Sequence, residues 1–530
     1  MLLDSGKINA IHLKEYTFTE LLSVHGDVYG SDHLVYTVDN INVSNQDLRN
    51  RVDAMAACLI KKFGLNPGDK VSLIMSNTVD WLPCFFAVIR AGGTVVVENP
   101  LLSCEEITGH YEEVDIKNIL VGGLSEKLED DLRNSFGAKV IRAADLYNDV
   151  SSGEEKTMLD ELEAKLPKRR DSIIFFTSGS TSKPKLVLLS QEAITLNAYH
   201  MAKRTEHQTD VELICVSLSH LMGLVPALYL IVAGLYFVLT DNKIEEIIEA
   251  CRNNDIKILQ NAPIVAKMLM KHPEFESVIK PRIEILILGS APSTPEEGRE
   301  LERAYGACIM SGYGMTESGG IISMPRLDAP EDKRYSTVGK PLEWVDLKIL
   351  KMSGDGDTES LCAAGEIGEV LAGGGCLMNG YASDEDIEEK IDENGYLHTG
   401  DLGYLDEDGF LVICGRKKNI IIKGGENIMP GEIERCINGL ENVESVVVLG
   451  VPDEKYGEEI AAFVVPKQGF TISPEEVQNA VSSAHTRYKQ PRYVFQYDSL
   501  PINKNGKPDL VRLKEDFNSL ISVKDPTQDL

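Results

Sequence analysis

The sequence predicts an α/β protein: a large N-terminal domain of parallel-rich sheets with flanking helices, then a small α+β C-terminal domain. Three observations predict it. Apolar runs of strand length alternate with apolar residues at helical spacing from about residue 43 to residue 121. The strand pattern returns at Ile173 to Phe176 and at Ile283 to Leu288. After about residue 360, Gly-rich turns separate short strands, and from Glu432 the chain alternates helix and strand in smaller units. Strand, helix and strand in succession favour a parallel sheet covered by helices. A chain of 530 residues is too long for one ordinary core. Two domains are expected, 1–417 and 418–530.

In chain order, Val43-Ser44-Asn45-Gln46-Asp47 reads as a capped helix entry, with Leu48, Val52, Met55 and Leu59 following on one face. Pro67-Gly68-Asp69 is a turn. Val71 to Met75 is a strand, Asp80 to Ala91 an apolar helix stopped by Gly92-Gly93, and Thr94 to Val97 the next strand. Asn118 to Val121 repeats the theme. The polar stretch between Leu146 and Arg170 is expected to be an exposed connection. Leu224 to Leu239, interrupted by Pro226 and Gly234, falls short of the ~20 residues of a membrane span. It reads as a buried helix ending near Gly234 and a strand from Leu235. In the C-terminal part, strands are expected at Glu369 to Ala372, Phe410 to Cys414, Ser445 to Val451 and Glu459 to Val465, with helices at Glu432 to Leu440 and Ser473 to His485.

Lys plus Arg number 53 against 83 Asp plus Glu, a formal charge of -30. That balance argues against nucleic acid or an anionic membrane as a partner, and no membrane insertion is expected. The ten cysteines are scattered singly, which suggests neither a zinc site nor a disulfide framework and suits a cytoplasmic location. The N-terminus meets Asp4 before an apolar core develops, so it does not read as a secretory signal.

Candidate chemistry begins at Thr177-Ser178-Gly179-Ser180-Thr181-Ser182-Lys183-Pro184-Lys185, directly after the apolar run to Phe176. Hydroxyls, a glycine and lysines after a buried strand suit a phosphate, because backbone N–H groups can converge on one anion while Lys185 adds charge. A solvated turn is the other reading of such a cluster. The spacing does not follow the Walker pattern. In Gly312-Tyr313-Gly314-Met315-Thr316-Glu317-Ser318, Tyr313 offers a face to a purine, Thr316 a hydroxyl to a phosphate and Glu317 an oxygen ligand to Mg2+. Asp401, within Gly395-Tyr396-Leu397-His398-Thr399-Gly400-Asp401, suits two vicinal ribose hydroxyls, and Arg416 adds donors.

Together these segments resemble the adenylate-forming enzymes: acyl-CoA synthetases, peptide-synthetase adenylation domains and firefly-type luciferases. The resemblance runs from roughly residue 40 to residue 510. It implies that Thr177, Ser178, Gly179, Ser180, Thr181 and Lys185 hold the ATP phosphates, with Gly289-Ser290-Ala291-Pro292 and Gly312-Tyr313-Gly314 at the adenine and Asp401 and Arg416 at the ribose. It implies catalytic roles for Thr316, for the metal-binding Glu317, for His220 at the carboxylate pocket and for Lys507 within Pro501 to Lys507. It places a hinge at Lys418, making 418–530 a mobile lid that carries the catalytic lysine. Lys423, Gly424 and Gly425 resemble the CoA-binding start of the C-terminal domain in acyl-CoA synthetases. The family usually has Gly where this chain has Ser182 and Leu186. A left-handed backbone at either position would cost about 1 kcal/mol or more.

The activity so implied is ligation of a small-molecule carboxylic acid to coenzyme A, using ATP and Mg2+ through an acyl-adenylate. Glycines at 289, 312 and 314 leave room for an aryl or medium-chain acid. Two other readings stand beside it: loading of a separate acyl carrier protein, and a nucleotide- or carrier-binding homologue without catalysis.

Overall fold

The computed structural model describes residues 17–112, 114–147, 153–167, 170–177, 185–205, 211–289, 294–352, 360–382, 390–502 and 508–523. The chain divides into two compact units, Met1–Leu347 with Ala372–His398 and Lys348–Leu371 with Thr399–Leu530.

Among the described residues, the first unit is built on two seven-stranded sheets. In one, Lys70–Met75 lies between Thr94–Glu98 and Ile116–Gly122, and Thr94–Glu98 is followed by Asp171–Thr177, all parallel. Lys185–Ser190 then joins antiparallel to Asp171–Thr177, and the short strand Gly380–Tyr381 pairs with its far side. In the other, Cys308–Ser311, Ile285–Leu288, Ile256–Asn261, Val211–Ile214, Phe237–Leu239 and Leu34–Val38 run parallel, with Ile41–Ser44 folded back on the edge. Parallel strands covered on both faces read as continuous apolar runs, which is the pattern at Ile173 to Phe175 and Leu286 to Leu288.

Local chemistry sets the helix boundaries. The Ser44 side chain accepts from the Asp47 N–H and the Asp47 carboxylate accepts from the Ser44 N–H, so the helix Asn45–Lys61 starts where the sequence predicts. Leu48, Val52, Met55 and Leu59 are all buried. Every residue of the helix Trp81–Arg90 is buried. One apolar core joins these two helices and Leu221–Ala233 to residues of both sheets. Leu221–Ala233 ends at Gly234 in the left-handed region, φ 66°, and the strand starts at Phe237, two residues later than expected.

The segment expected to be an exposed connection is different. Residues Gly153–Glu163 form a helix whose Leu159 is fully buried. The buried Arg90 guanidinium reaches its Asp160 and Glu163 as well as Asp53, so the acidic composition is neutralised from another helix.

A four-stranded sheet, most of whose residues fall in the second unit, orders Val345–Lys351, Gly368–Gly374, Tyr396–Leu405 and Leu411–Arg416. A five-stranded sheet centres on the long antiparallel pair Val443–Asp453 and Gly457–Pro466. The helices Pro430–Asn438 and Pro474–Ala484 pack on it through Ile433, Ile437, Val477 and Val481. Among the described residues, no helix is long and apolar enough to cross a membrane.

Candidate active site

Thr177 and Lys185 are the last register pair of the antiparallel strands Asp171–Thr177 and Lys185–Ser190, and the Thr177 hydroxyl donates to the Lys185 carbonyl at 3.4 Å. The candidate phosphate loop is therefore strung between the two strands of a hairpin. Ser178, Gly179, Ser180 and Thr181 lie outside the described residues, as does Ser182. Leu186 pairs with Phe176, is buried in the apolar cluster beside the sheet, and is not one of the positive-φ residues. Its backbone is ordinary strand. The departure from glycine here carries no backbone strain.

The hairpin base lies at the carboxyl ends of parallel strands, where open α/β sheets place their ligands. At the end of the neighbouring strand, Glu98 is buried with both oxygens 3.1 Å from His110 Nδ1, and the imidazole stacks on Phe176 with centroids 4.3 Å apart. Burial raises the Glu98 pKa above the usual carboxylate range, opposed by His110. Asn99 Nδ2 donates to His220 Nε2 at 3.5 Å, where His220 caps the helix Leu221–Ala233 in an extended conformation.

Glu317 sits in the turn Thr316–Ser318 that follows the strand Tyr313–Met315, and its side chain is buried. Tyr381 donates from its hydroxyl to Glu317 Oε1 at 3.1 Å, and Lys185 Nζ lies 4.9 Å from the centroid of the same ring. Three segments distant in sequence thus meet at one phenol. Thr316 and Tyr313 are half-buried on the adjacent backbone. The glycines there differ in purpose. A Cβ on Gly314 would stand 2.1 Å from the Gly320 carbonyl oxygen, so its absence serves the packing of two strands, whereas one on Gly312 would meet nothing nearer than 3.8 Å. Gly289 faces the Met222 methyl, which a Cβ would approach to 3.0 Å. Ser290, Ala291 and Pro292 lie outside the described residues.

In the second unit, Asp401 is buried and Arg416 Nε donates to its Oδ1 at 2.8 Å. Lys417 Nζ is 2.9 Å from Glu369 Oε2, while Glu369 Oε1 accepts from the Gly400 N–H at 3.3 Å, so the strand carrying Asp401 and the turn carrying Lys418 share one carboxylate. Lys418 itself is exposed in the single turn Lys417–Asn419. The Lys423 ammonium is buried against Glu459 at 2.5 Å and packs on the rings of Tyr456 and Tyr488 at 5.6 and 4.8 Å. Gly424 and Gly425 follow with φ of 56° and 87°, a turn that side chains would strain. Lys507 lies outside the described residues.

Sequence reasoning did not reach Tyr381, Asn99, Glu369 or Glu459. Their only local signals are single polar residues within a strand or, for Asn99, just after one.

Two parallel-rich seven-stranded sheets in the first unit and a mixed antiparallel sheet with packed helices in the second define a two-unit α/β protein. The chain belongs to the AMP-binding enzyme family, which matches residues 25–382, and the AMP-binding enzyme C-terminal domain matches residues 432–507. It is 29% identical over 484 residues to the oxalate–CoA ligase of Arabidopsis thaliana, covering 88% of this chain and 92% of that protein. Its fold is similar to that of ATP-bound MatB from Rhodopseudomonas palustris, with a TM-score of 0.83, 24% identity and coverage of 95% and 99%. It is also similar to the amide bond synthetase McbA from Marinactinospora thermotolerans, with a TM-score of 0.80, 26% identity and coverage of 94% and 99%.

Proposed function

We propose that this enzyme is an ATP-dependent carboxylate–CoA ligase that activates an aryl or medium-chain acid as its acyl-adenylate and passes the acyl group to the CoA thiol. The observation that carries the reading is the meeting of Lys185, at the base of the hydroxyl-rich loop, with the buried Glu317 through Tyr381. A cation and a metal-ligand carboxylate held a ring apart suit a polyphosphate. The similarity to the oxalate–CoA ligase of Arabidopsis thaliana supports CoA as acceptor.

Mg2+ fits this site on the chemistry of its donors. It takes one or two carboxylates and completes its shell with phosphate oxygens and water. Glu317 offers one carboxylate, and no group of three or more His, Cys, Asp or Glu able to hold a metal exists among the described residues. Bound there, Mg2+ would neutralise charge on the phosphate oxygens.

In the proposed reaction the substrate carboxylate attacks the α-phosphorus of ATP and pyrophosphate leaves. Lys185, Thr316 and the loop hydroxyls bind the phosphates, Lys507 meets the charge developing on the phosphate and carboxylate oxygens, and Asp401 and Arg416 hold the ribose. The CoA thiol then attacks the acyl carbonyl and AMP departs. Residues 418–530 act as a lid that turns about Lys418 between the two steps, and Gly424-Gly425 admits the pantetheine arm. His220, aligned by Asn99, borders the carboxylate. The room at Gly312, where a Cβ would stand 3.8 Å from Ile321 Cδ1, and the Met222 thioether beside Gly289 suit a flat or extended apolar acid. Ten singly spaced cysteines suit work in the cytoplasm.

A second acceptor class, an amine, is raised by the 26% identity to an amide bond synthetase, and the phosphopantetheine of a carrier protein stands beside it because its thiol is chemically that of CoA. The deciding experiment is pyrophosphate release with ATP and Mg2+ across cinnamic, benzoic, short-chain and medium-chain acids, with and without CoA. Acid-stimulated release with a thioester product is the expected result. Release without thioester would move the acceptor to the second class, and silence across the panel with weak ATP binding would overturn the ligase reading.

A further inference from the structure

We infer that Tyr381 is a positioning residue that fixes the Glu317 carboxylate for a divalent cation and couples it to the phosphate-binding hairpin. This rests on the ligase reading in taking Glu317 as the metal carboxylate. The placement of Tyr381 is over-determined. Its strand Gly380–Tyr381 pairs with Leu188 and Val187, the Ala382 N–H donates to the Leu186 carbonyl at 2.9 Å, and the Met378 N–H donates to the Glu317 carbonyl at 2.9 Å. The segment 378–382 is thus stitched both to the hairpin and to the turn that carries Glu317. Tyr381 is 4% exposed, so water has little access to replace its hydroxyl.

A hydrogen bond from that hydroxyl to Oε1 fixes the rotation of the carboxylate and so determines where Oε2 points. Groups that orient metal ligands in this way typically change metal affinity about 10–100-fold when removed. The Lys185 ammonium on the ring face draws electron density from the phenol and strengthens its O–H as a donor, so the state of Lys185 reaches Glu317 through one ring. The chain therefore has a physical link between phosphate binding and metal binding that lies in neither sequence motif.

The test uses the full-length protein and two variants, Tyr381→Phe and Tyr381→Leu, with Mn2+ as the probe. Free Mn2+ is followed by electron paramagnetic resonance during titration of the protein saturated with α,β-methylene-ATP, and thermal melting is recorded in parallel. Tyr381→Phe keeps the ring under Lys185 and loses only the hydroxyl. It should weaken Mn2+ binding about tenfold while nucleotide affinity without metal changes less than about twofold. Tyr381→Leu should weaken both. In pyrophosphate release, the half-saturating Mg2+ concentration should rise in Tyr381→Phe by a larger factor than the rate at saturating Mg2+ falls. Unchanged Mn2+ affinity in Tyr381→Phe, whether or not its melting temperature drops, would overturn the proposal and leave Tyr381 a packing residue. The titration needs no turnover, so it decides the matter even if no acid supports pyrophosphate release and the ligase reading fails.

Discussion

Asp401 and Arg416 are register partners across the antiparallel strands Tyr396–Leu405 and Leu411–Arg416, and Arg416 Nε donates to Asp401 Oδ1 at 2.8 Å. The carboxylate is buried and the guanidinium half-exposed, with Arg416 occupying Oδ1. If it holds the ribose, Asp401→Asn should raise the KM for ATP about tenfold, the loss expected for one hydrogen bond to a charged group. Comparing ATP with 2′-deoxy-ATP and 3′-deoxy-ATP checks this: the wild type should discriminate and the variant should not.

Lys423 and Glu459 form a buried ion pair capped by two tyrosine rings. Removing one charge strands the other in low dielectric, at a cost of about 3–5 kcal/mol. Urea denaturation followed by the tyrosine signal should show Lys423→Met strongly destabilised. The double variant Lys423→Met/Glu459→Gln should recover part of the loss, because no unpaired buried charge then remains.

Gly314→Ala and Gly312→Ala should separate cleanly. The first drives a methyl into the Gly320 carbonyl oxygen, and the protein should fail to accumulate in folded form. The second meets nothing closer than 3.8 Å and should melt within about 2 °C of the wild type, as a surface-like substitution does. Its effect should appear instead in the acid profile, with the bulkiest accepted acids losing activity first.

Leu186→Gly introduces the glycine that the resemblance to adenylate-forming enzymes leads one to expect at this position. Because Leu186 is 2% exposed in a regular strand, the change should cost about 3 kcal/mol or more from lost burial and added backbone freedom. A KM for ATP equal to or above the wild-type value is expected.

Glu212 is fully buried, hydrogen-bonded to the Tyr229 hydroxyl, and burial pushes its pKa up to about 8 from the ordinary 4.5. The folded protein then holds a proton that the unfolded chain has released. Its stabilising contribution is whole below about pH 4.5 and is lost as pH rises through about 8. Glu434, raised by burial to about 7, acts in the same direction in the second unit. Glu212→Gln carries no titrating group there. Its melting temperature relative to the wild type should therefore climb by about 2 °C or more between pH 5 and pH 8.

Features set by neighbours in the chain were legible. The Ser44 and Asp47 box opens its helix, Gly234 closes another in the left-handed region, and Ser473 caps Pro474–Ala484, all from contacts within four residues. The helix Gly153–Glu163 was missed for the opposite reason. Glu154, Glu155, Asp160, Glu161 and Glu163 conceal its buried Leu159, and the cation that neutralises two of them, Arg90, comes from some seventy residues upstream.

By itself the sequence determined the alternation of elements and singled out Lys185, Glu317, Asp401 and Arg416 as candidates. Those follow from local spacing and from residue types that suit phosphate, metal and ribose. Only the tertiary structure decided that Leu186 sits in an unstrained strand, that Gly314 is small for the sake of Gly320, that Lys423 is buried against Glu459, and that Tyr381 stands between Lys185 and Glu317. The first two depend on the register of local hairpins and the last two on elements far apart in the chain, and register is set by the packing of whole sheet faces, which no short stretch of sequence carries.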